Sequence, residues 1–352
     1  MKAGKPAPRP SRAVLTMTDM ARLAGVSEST VSRALADNPV IAAETRARIQ
    51  ELARLSGYSV NPAASSLRTN QSKVMAVMIP LVHERDQHLS DPFMMAMLAY
   101  LADALTSRGY DLLLSKVSIH EEGWIERVVR TRRAAGAILV GQSFEHQAIE
   151  RAARSGLPLV VWGARMEDQT YVTVGSDNRQ GGYLATQHLI ETGRRHIAFV
   201  GERRLPEISQ RFDGYLRAHA EAGLSPAPRL ETMSGFAAVE GYLATKRLLT
   251  SGLPFDGVVG GSDVIAMSAI RALSEAGRNG PGDVGVVGFD DVEIAAYTTP
   301  PLTTVRQDLD RGANLLVEKV VAAAAGESPG SVEMPAKLVI RGSTVHQDPP
   351  QK

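Results

Sequence analysis

From Lys73 onward, short apolar runs alternate with stretches of helical spacing, and this alternation restricts the fold more tightly than any other feature of the chain. The runs are Val74–Ile79, Asp111–Leu114, Ala137–Val140, Leu159–Trp162, Val172–Val174, Ile197–Val200, Gly257–Val259 and Val284–Val287. They are brief and nearly free of polar alternation, as strands buried on both faces of a parallel sheet must be. With the helical stretches between them they make βαβ units. The series occupies roughly 270 residues, more than one doubly wound domain holds comfortably, so the reading is two α/β lobes with a cleft between them. Open α/β sheets bind ligands beyond the C-terminal ends of their strands, which places a site in that cleft. Gly182-Tyr183-Leu184-Ala185-Thr186 returns as Gly241-Tyr242-Leu243-Ala244-Thr245, each opening a helix. An echo of five residues does not by itself separate a repeat from chance.

The chain ahead of Lys73 follows a helical period. Met20, Leu23 and Ala24 share one face, Val31, Ala34 and Leu35 a second, and Ile49, Leu52, Ala53 and Leu55 a third. Gly25-Val26-Ser27 separates the first two helices, the glycine free to take positive φ and the serine placed to cap the second helix; Asp37-Asn38-Pro39 ends that helix. This punctuation is a helix-turn-helix with a third, supporting helix. Residues 1 to 15 carry Pro6, Pro8 and Pro10 among lysines and arginines and read as a flexible basic arm. After Gly57, Asn61-Pro62 opens an amphipathic stretch through Arg68. Such a stretch is too short to stay helical alone in water, where nucleation is costly below roughly 12–15 residues.

Charge divides the chain at the same place. The whole carries a formal +1, but eleven Lys/Arg stand against five Asp/Glu through Lys73, giving +6, and the remainder holds 28 against 33, or −5. A basic head on an acidic body points to a polyanion as partner of the head alone. In the second helix Glu28, Ser29, Ser32 and Arg33 face away from the apolar positions and form a polar face of major-groove reach. A solvated helix face has the same composition, and the residues alone favour it.

Other classes find little support. The chain has no cysteine, which removes disulfides, thiolate catalysis and Cys-based zinc sites. There is no Gly-x-Ser-x-Gly, no His-Glu-x-x-His and no phosphate-cradling Gly-x-x-x-x-Gly-Lys. Gly141-Gln142-Ser143-Phe144-Glu145 lacks the last glycine of a nucleophile elbow, and the eight histidines are scattered. An enzyme is therefore a distant reading, and no metal or cofactor is expected. There is no apolar run of membrane-spanning length and no secretory leader pattern, so a cytoplasmic protein is expected. A secreted sugar-binding protein has no use for the basic head, and a nucleoid-type DNA binder leaves the large body unused.

The residues from Thr16-Met17-Thr18-Asp19-Met20-Ala21 through Gly25-Val26-Ser27-Glu28-Ser29-Thr30-Val31-Ser32-Arg33-Ala34-Leu35 resemble the N-terminal motif of the LacI/GalR family of regulators. The likeness continues through Val40, Thr45-Arg46, Ile49 and Gly57-Tyr58. It includes Asn61-Pro62-Ala63-Ala64-Ser65-Ser66-Leu67, which is similar to the family's hinge helix, and covers about 330 residues. The resemblance implies two recognition helices of a dimer reading the halves of a palindrome. Glu28 and Ser29 stand at the main base-reading positions, and Arg33 lies close by. Glu28 departs from the tyrosine or threonine often found there; it can accept from cytosine N4. Thr16, Ser27, Thr30 and Ser32 become candidate phosphate contacts, or else helix caps. In the hinge, Asn61, Ala64, Leu67 and Arg68 are implied DNA contacts, with Leu67 wedged into the minor groove at the operator centre.

The body resembles the family's effector domain, itself similar to periplasmic sugar-binding proteins. Asp290 in Gly288-Phe289-Asp290-Asp291 matches the family's ligand-binding aspartate, Arg211 the arginine that holds ligand hydroxyls or carboxylates, Phe236 an aromatic platform and Asp177 a polar cleft residue. Ser262-Asp263 stand where the family often has Asn-Asp. Asp91-Pro92-Phe93 and Trp162-Gly163 contribute from the first lobe, and Glu207 faces Arg211. Taken singly, the aspartates could cap helices, Arg211 pair at the surface, and Phe236 and Trp162 be core. Together, charged groups around an aromatic plate suit a sugar.

The expected organisation is α + α/β: a basic arm at 1–15, a three-helix helix-turn-helix domain at 16–60, a hinge helix and linker at 61–73, and a two-lobed periplasmic-binding-protein-like domain at 74–352. The expected function is a sequence-specific, cytoplasmic, homodimeric repressor of carbohydrate catabolism. Its partners are double-stranded operator DNA and a mono- or disaccharide that releases it, with no cofactor and no membrane. A repressor that needs a non-sugar co-repressor is the second reading. No leucine-rich heptad tail follows Val345, which favours a dimer over a tetramer.

Overall fold

The computed structural model describes residues 15–58, 72–81, 89–118, 123–130 and 133–345. The chain divides into two compact units, 1–72 and 73–352. The basic arm through residue 14 and the hinge residues Asn61, Ala64, Leu67 and Arg68 lie outside the described residues.

The first unit is three helices, α1 (Met17–Ala24), α2 (Glu28–Leu35) and α3 (Ala43–Ser56). A reciprocal cap starts α1: Thr16 Oγ1 accepts the Asp19 N–H, and the Asp19 carboxylate accepts the Thr16 N–H. Gly25 ends it at φ +65°, a conformation that costs a side-chain-bearing residue, and Ser27 then caps α2 through the Thr30 N–H. The core is Met20, Ala24, Val31, Ala34, Ile49 and Ala53. Leu23 and Leu55, assigned above to apolar faces, are exposed. Alanines fill the positions where these short helices meet, so the larger leucines stay outside. From α3, Arg48 donates to the Ala24 carbonyl and Gln50 to that of Ala34, so the last helix satisfies backbone acceptors at the ends of the first two.

The second unit is built on two six-stranded sheets. In the first lobe β1 (Val74–Leu81), β2 (Asp111–Ser118), β3 (Gly136–Val140), β4 (Leu159–Trp162), β5 (Val172–Ser176) and β11 (Val332–Met334) run in the order β2-β1-β3-β4-β5-β11. In the second, β6 (Ile197–Val200), β7 (Glu231–Thr232), β8 (Gly257–Gly260), β9 (Gly285–Asp290), β10 (Thr303–Arg306) and β12 (Lys337–Val339) run β7-β6-β8-β9-β10-β12. All pairings are parallel except β10 with β12. The central strands β3, β4, β8 and β9 are buried along their whole length, which is why their sequences carry no polar alternation. In the first lobe, α4 (Pro92–Thr106) and α11 (Leu309–Ala324) pack on one face of the sheet, and α5 (Trp124–Arg130) and α6 (His146–Arg154) serve the other.

The chain passes between the lobes three times: from β5 into α7 (Asn178–Glu191), from β10 into α11, and from β11 to β12. Next to the β10 passage, Leu302 and Val305 are fully buried.

The echo found in the sequence has a packing role. Gly182 sits on α7 where a Cβ would lie 1.9 Å from the Arg211 carbonyl oxygen of α8 (Pro206–Glu221). Gly241, on α9 (Ala238–Thr250), faces the Ile265 backbone of α10 (Asp263–Glu275) in the same way, at 3.1 Å. Next in each helix, Tyr183 donates to Glu221 and Tyr242 to Glu275, with Arg217 and Arg271 over the respective rings. Two helix pairs of the second lobe thus use one device, which makes the five residues a structural repeat.

Candidate functional site

The C-terminal ends of strands from both sheets open on a cavity of about 680 Å³, partly open to solvent. The first lobe lines it with Asp91, Phe93, Met94, Gly141, Gln142, Ser143 and Trp162; the second with Glu207, Arg211, Phe236, Ser262, Asp290 and Gln307. Eight of the ten positions expected to hold effector therefore converge. Asp177 and Asp263 do not line this cavity.

Both exceptions have physical causes. Asp177 caps α7, its Oδ1 accepting the Gln180 N–H at 2.8 Å on the first passage between lobes. Its neighbour Asn178 does the work nearer the site: buried, it accepts the Arg211 Nε–H at 2.9 Å. Asp263 is wholly buried and spends its carboxylate on the Val292 N–H at 2.8 Å and the Thr304 hydroxyl at 2.5 Å. It clamps α10 to the turn after β9. Burial pushes its carboxyl up to about 6, against the pull of those two bonds.

Arg211 is buried and fixed on three sides. Nε donates to Asn178, Nη1 to the Gly261 carbonyl, and the guanidinium lies 3.6 Å over the Phe289 ring. Burial lowers its pKa, and Asp290, Glu207 and Asp263 oppose that by attraction. Asp290 ends β9 at φ +130°, and Asp291 follows at φ +59°, two side-chain-bearing residues in the sparsely populated half of backbone space. Asp291 is held there by Arg306 and Arg341, each at 2.6 Å. Such conformations cost of order 1–3 kcal/mol each and persist where surrounding structure fixes them, often at ligand sites. Asp290 Oδ1 accepts the Gln307 amide at 2.7 Å; burial drives its carboxyl well above the ordinary aspartate value, with Arg211 pulling the other way. Burial also raises Glu207 and Asp91. Asp91 caps α4 through the Phe93 and Met94 N–H groups.

The lobes touch across the cavity. The Gln142 N–H approaches Glu207 at 3.4 Å, Gln210 donates to the Arg165 carbonyl at 2.8 Å, and Phe93 packs against the cores of both lobes and lies 6.3 Å from Trp162. Three polar lining residues are not among the positions expected from the sequence: Gln142, Ser143 and Gln307. Gly141–Ser143 directly follows β3, so the rule that ligands sit beyond strand C-termini was the signal available.

On the first unit, Ser27, Glu28, Ser29 and Arg33 are exposed along α2, while Thr30 and Ser32 are half-buried. Thr16 and Ser27 serve as helix caps, and Thr30 shares the Ser27 hydroxyl at 2.9 Å. The Thr18 hydroxyl donates to Glu28 Oε1 at 2.7 Å, so α1 holds the carboxylate at the start of α2.

Two family models match the chain: bacterial regulatory proteins of the lacI family over residues 16–61, and a periplasmic binding protein-like domain over 186–344. The transcriptional regulator RegA of Clostridium saccharobutylicum is 31% identical over 337 residues, covering 94% of this chain and 99% of its own. The repressor PurR of Actinobacillus pleuropneumoniae is 28% identical over 342 residues, covering 93% and 98%. Among solved structures, a complex of the regulator CelR with cellobiose is 27% identical at a TM-score of 0.70, over 94% of this chain and 99% of that one. A Lac repressor dimer bound to operator and an anti-inducer superposes at 0.83 over the same shares; at 24% identity it speaks to the fold alone. Head, body and relatives agree along nearly the whole length, and this chain belongs to the LacI family of bacterial regulatory proteins, as a DNA-binding transcriptional regulator.

Proposed function

We propose that this protein is a homodimeric repressor of carbohydrate catabolism that leaves a palindromic operator when a mono- or disaccharide enters the cleft. The observation that carries the reading is the cavity itself. Two carboxylates and the buried Arg211 guanidinium from the second lobe line the same cavity as the rings of Phe93 and Trp162 from the first, and Phe236 adds a third ring. Vicinal hydroxyls need planar polar partners and a sugar's C–H face needs an apolar plate. CelR, seen with cellobiose, is a relative with that ligand class. Operator binding places the protein with the chromosome, in the cytoplasm.

Coupling arises from geometry. A ligand that touches both walls changes the energy of their relative position, and the three passages between lobes carry that change; it shifts operator affinity only as far as the two states differ in ligand affinity. On the DNA side, Glu28, Ser29 and Arg33 read bases while Thr16, Ser27, Thr30 and Ser32 approach phosphates, and the hinge residues, Leu67 among them, act at the operator centre.

The test is selection from a duplex library at one fixed salt, with and without a sugar panel. A palindrome enriched without sugar and lost with one sugar supports the reading. A palindrome enriched only when a non-sugar metabolite is added identifies a co-repressor instead, and salt-sensitive binding without sequence preference ends the regulator mechanism proposed here. Leu67→Ala is expected to lose operator affinity while ligand binding persists.

A further inference from the structure

The ionisable groups around the cavity do not balance. Asp91, Glu207 and Asp290 bring three carboxyls, and among the described residues Arg211 is the one guanidinium that lines the cavity. That guanidinium is held in place by Asn178, the Gly261 carbonyl and the Phe289 ring, and its single charge faces three carboxyls. The amide of Gln142 is fully used within the first lobe: Nε2 donates to the Ala164 carbonyl and the Tyr171 hydroxyl, and Oε1 accepts the Ala164 N–H.

Acceptors, by contrast, are in excess. Asp91 receives its helix-capping N–H groups on Oδ1, and Asp290 receives Gln307 on Oδ1; among the described residues nothing donates to Oδ2 of either. Glu207 has only the long Gln142 contact and its own amide. Ser143 adds a hydroxyl that is buried, at 6% exposure, and has no hydrogen-bond partner, on a residue held at φ +52°. An unbonded polar atom in that position is costly unless a ligand completes it.

Resting on the sugar reading above, we infer that the effector carries a protonated amine as well as hydroxyls, as an amino sugar or similar aminated polyol does. An ammonium supplies three donors and one positive charge to a cavity in which, among the described residues, carboxyls outnumber the guanidinium three to one. The rings of Phe93, Trp162 and Phe236 tolerate a cation on their faces as well as a sugar's C–H face. Sugar phosphates and uronates bring further acceptors and negative charge to a cavity whose described carboxyls already outnumber its guanidinium, and are rejected.

The experiment is isothermal calorimetry of the full-length protein at neutral pH against D-glucosamine, D-glucose and D-glucuronate, and the corresponding galactose set, repeated with Glu207→Gln. The expected result is that one hexosamine binds at least tenfold more tightly than its parent hexose, that neither uronate binds, and that Glu207→Gln narrows the amine preference to under about threefold. A parent hexose binding as tightly as its amine overturns the inference and leaves the sugar reading standing. A uronate binding overturns the inference likewise. Silence from all six compounds overturns the inference, and silence from a panel widened to neutral mono- and disaccharides overturns the sugar reading as well.

Discussion

The two walls of the cleft are built on different terms. The second lobe supplies Glu207, Arg211 and Asp290, charged side chains locked by backbone strain, a helix pair without room for a methyl group and the Asp263 clamp. The first lobe supplies one capping aspartate, two rings and a strand end. Buried charge is tolerated only where every neighbour is fixed, because an imperfectly placed partner leaves the full desolvation cost. Flat apolar surface asks only for shape. Frame mutations in the second lobe should therefore cost stability, and wall mutations in the first lobe affinity.

The largest expected effect is at Gly182→Val. Its side chain would collide with the Arg211 backbone, and the body should lose about 3 kcal/mol or more in urea unfolding. Gly330→Ala, whose Cβ meets open space, should change stability by less than about 0.5 kcal/mol. Equal losses would dissolve the argument from close helix packing.

Asp263→Ala comes next, at about 2–4 kcal/mol, because the Val292 N–H and the Thr304 hydroxyl lose a buried acceptor. Effector affinity at saturating folded fraction should stay within a few-fold of wild type. A large affinity loss would move Asp263 from frame to binding wall.

Phe93→Leu should weaken sugar binding about tenfold, near 1.4 kcal/mol, with unfolding changed by less. If its stability loss matches that of Asp263→Ala, the contrast between the walls fails.

The smallest effect is in pH. Asp263, ordinarily near 3.8 and pushed up to about 6 when folded, binds its proton more tightly in the native state. This group therefore costs the wild type stability as pH rises from about 4 to about 6, with the cost complete above that. Asn does not titrate. The penalty of Asp263→Asn should shrink by about 1–2 kcal/mol between pH 4.5 and pH 7, measured as the difference of two urea curves. A constant penalty would show that the carboxyl is not raised.

Much of the architecture was legible because it depends on local chemistry. Ser27 and Gly25 mark the turn between α1 and α2 whatever surrounds them, and runs such as Ala137–Val140 become buried strands because they have no polar face to turn to water. Arg211, Asp290, Phe236 and Trp162 were reached by resemblance, and the structure brings them to one cavity. Asp177 and Asn178 show where such reading ends. Both are short polar residues at a helix start, yet one caps the helix and its neighbour orients Arg211, a difference that a turn of 100° about α7 decides.

By itself the sequence determined a basic three-helix head, a two-lobed parallel α/β body and the cleft between strand ends, since periodicity, caps and charge are properties of neighbours along the chain. Only the tertiary structure decided that Asp263 is a clamp, that Ser143 lines the site with its hydroxyl unbonded, and that the echoed Gly-Tyr pair is a packing device. Each of these rests on contacts between residues far apart in the chain, Asp263 with Val292 and Thr304, Tyr183 with Glu221, where burial rather than residue type sets what a side chain does.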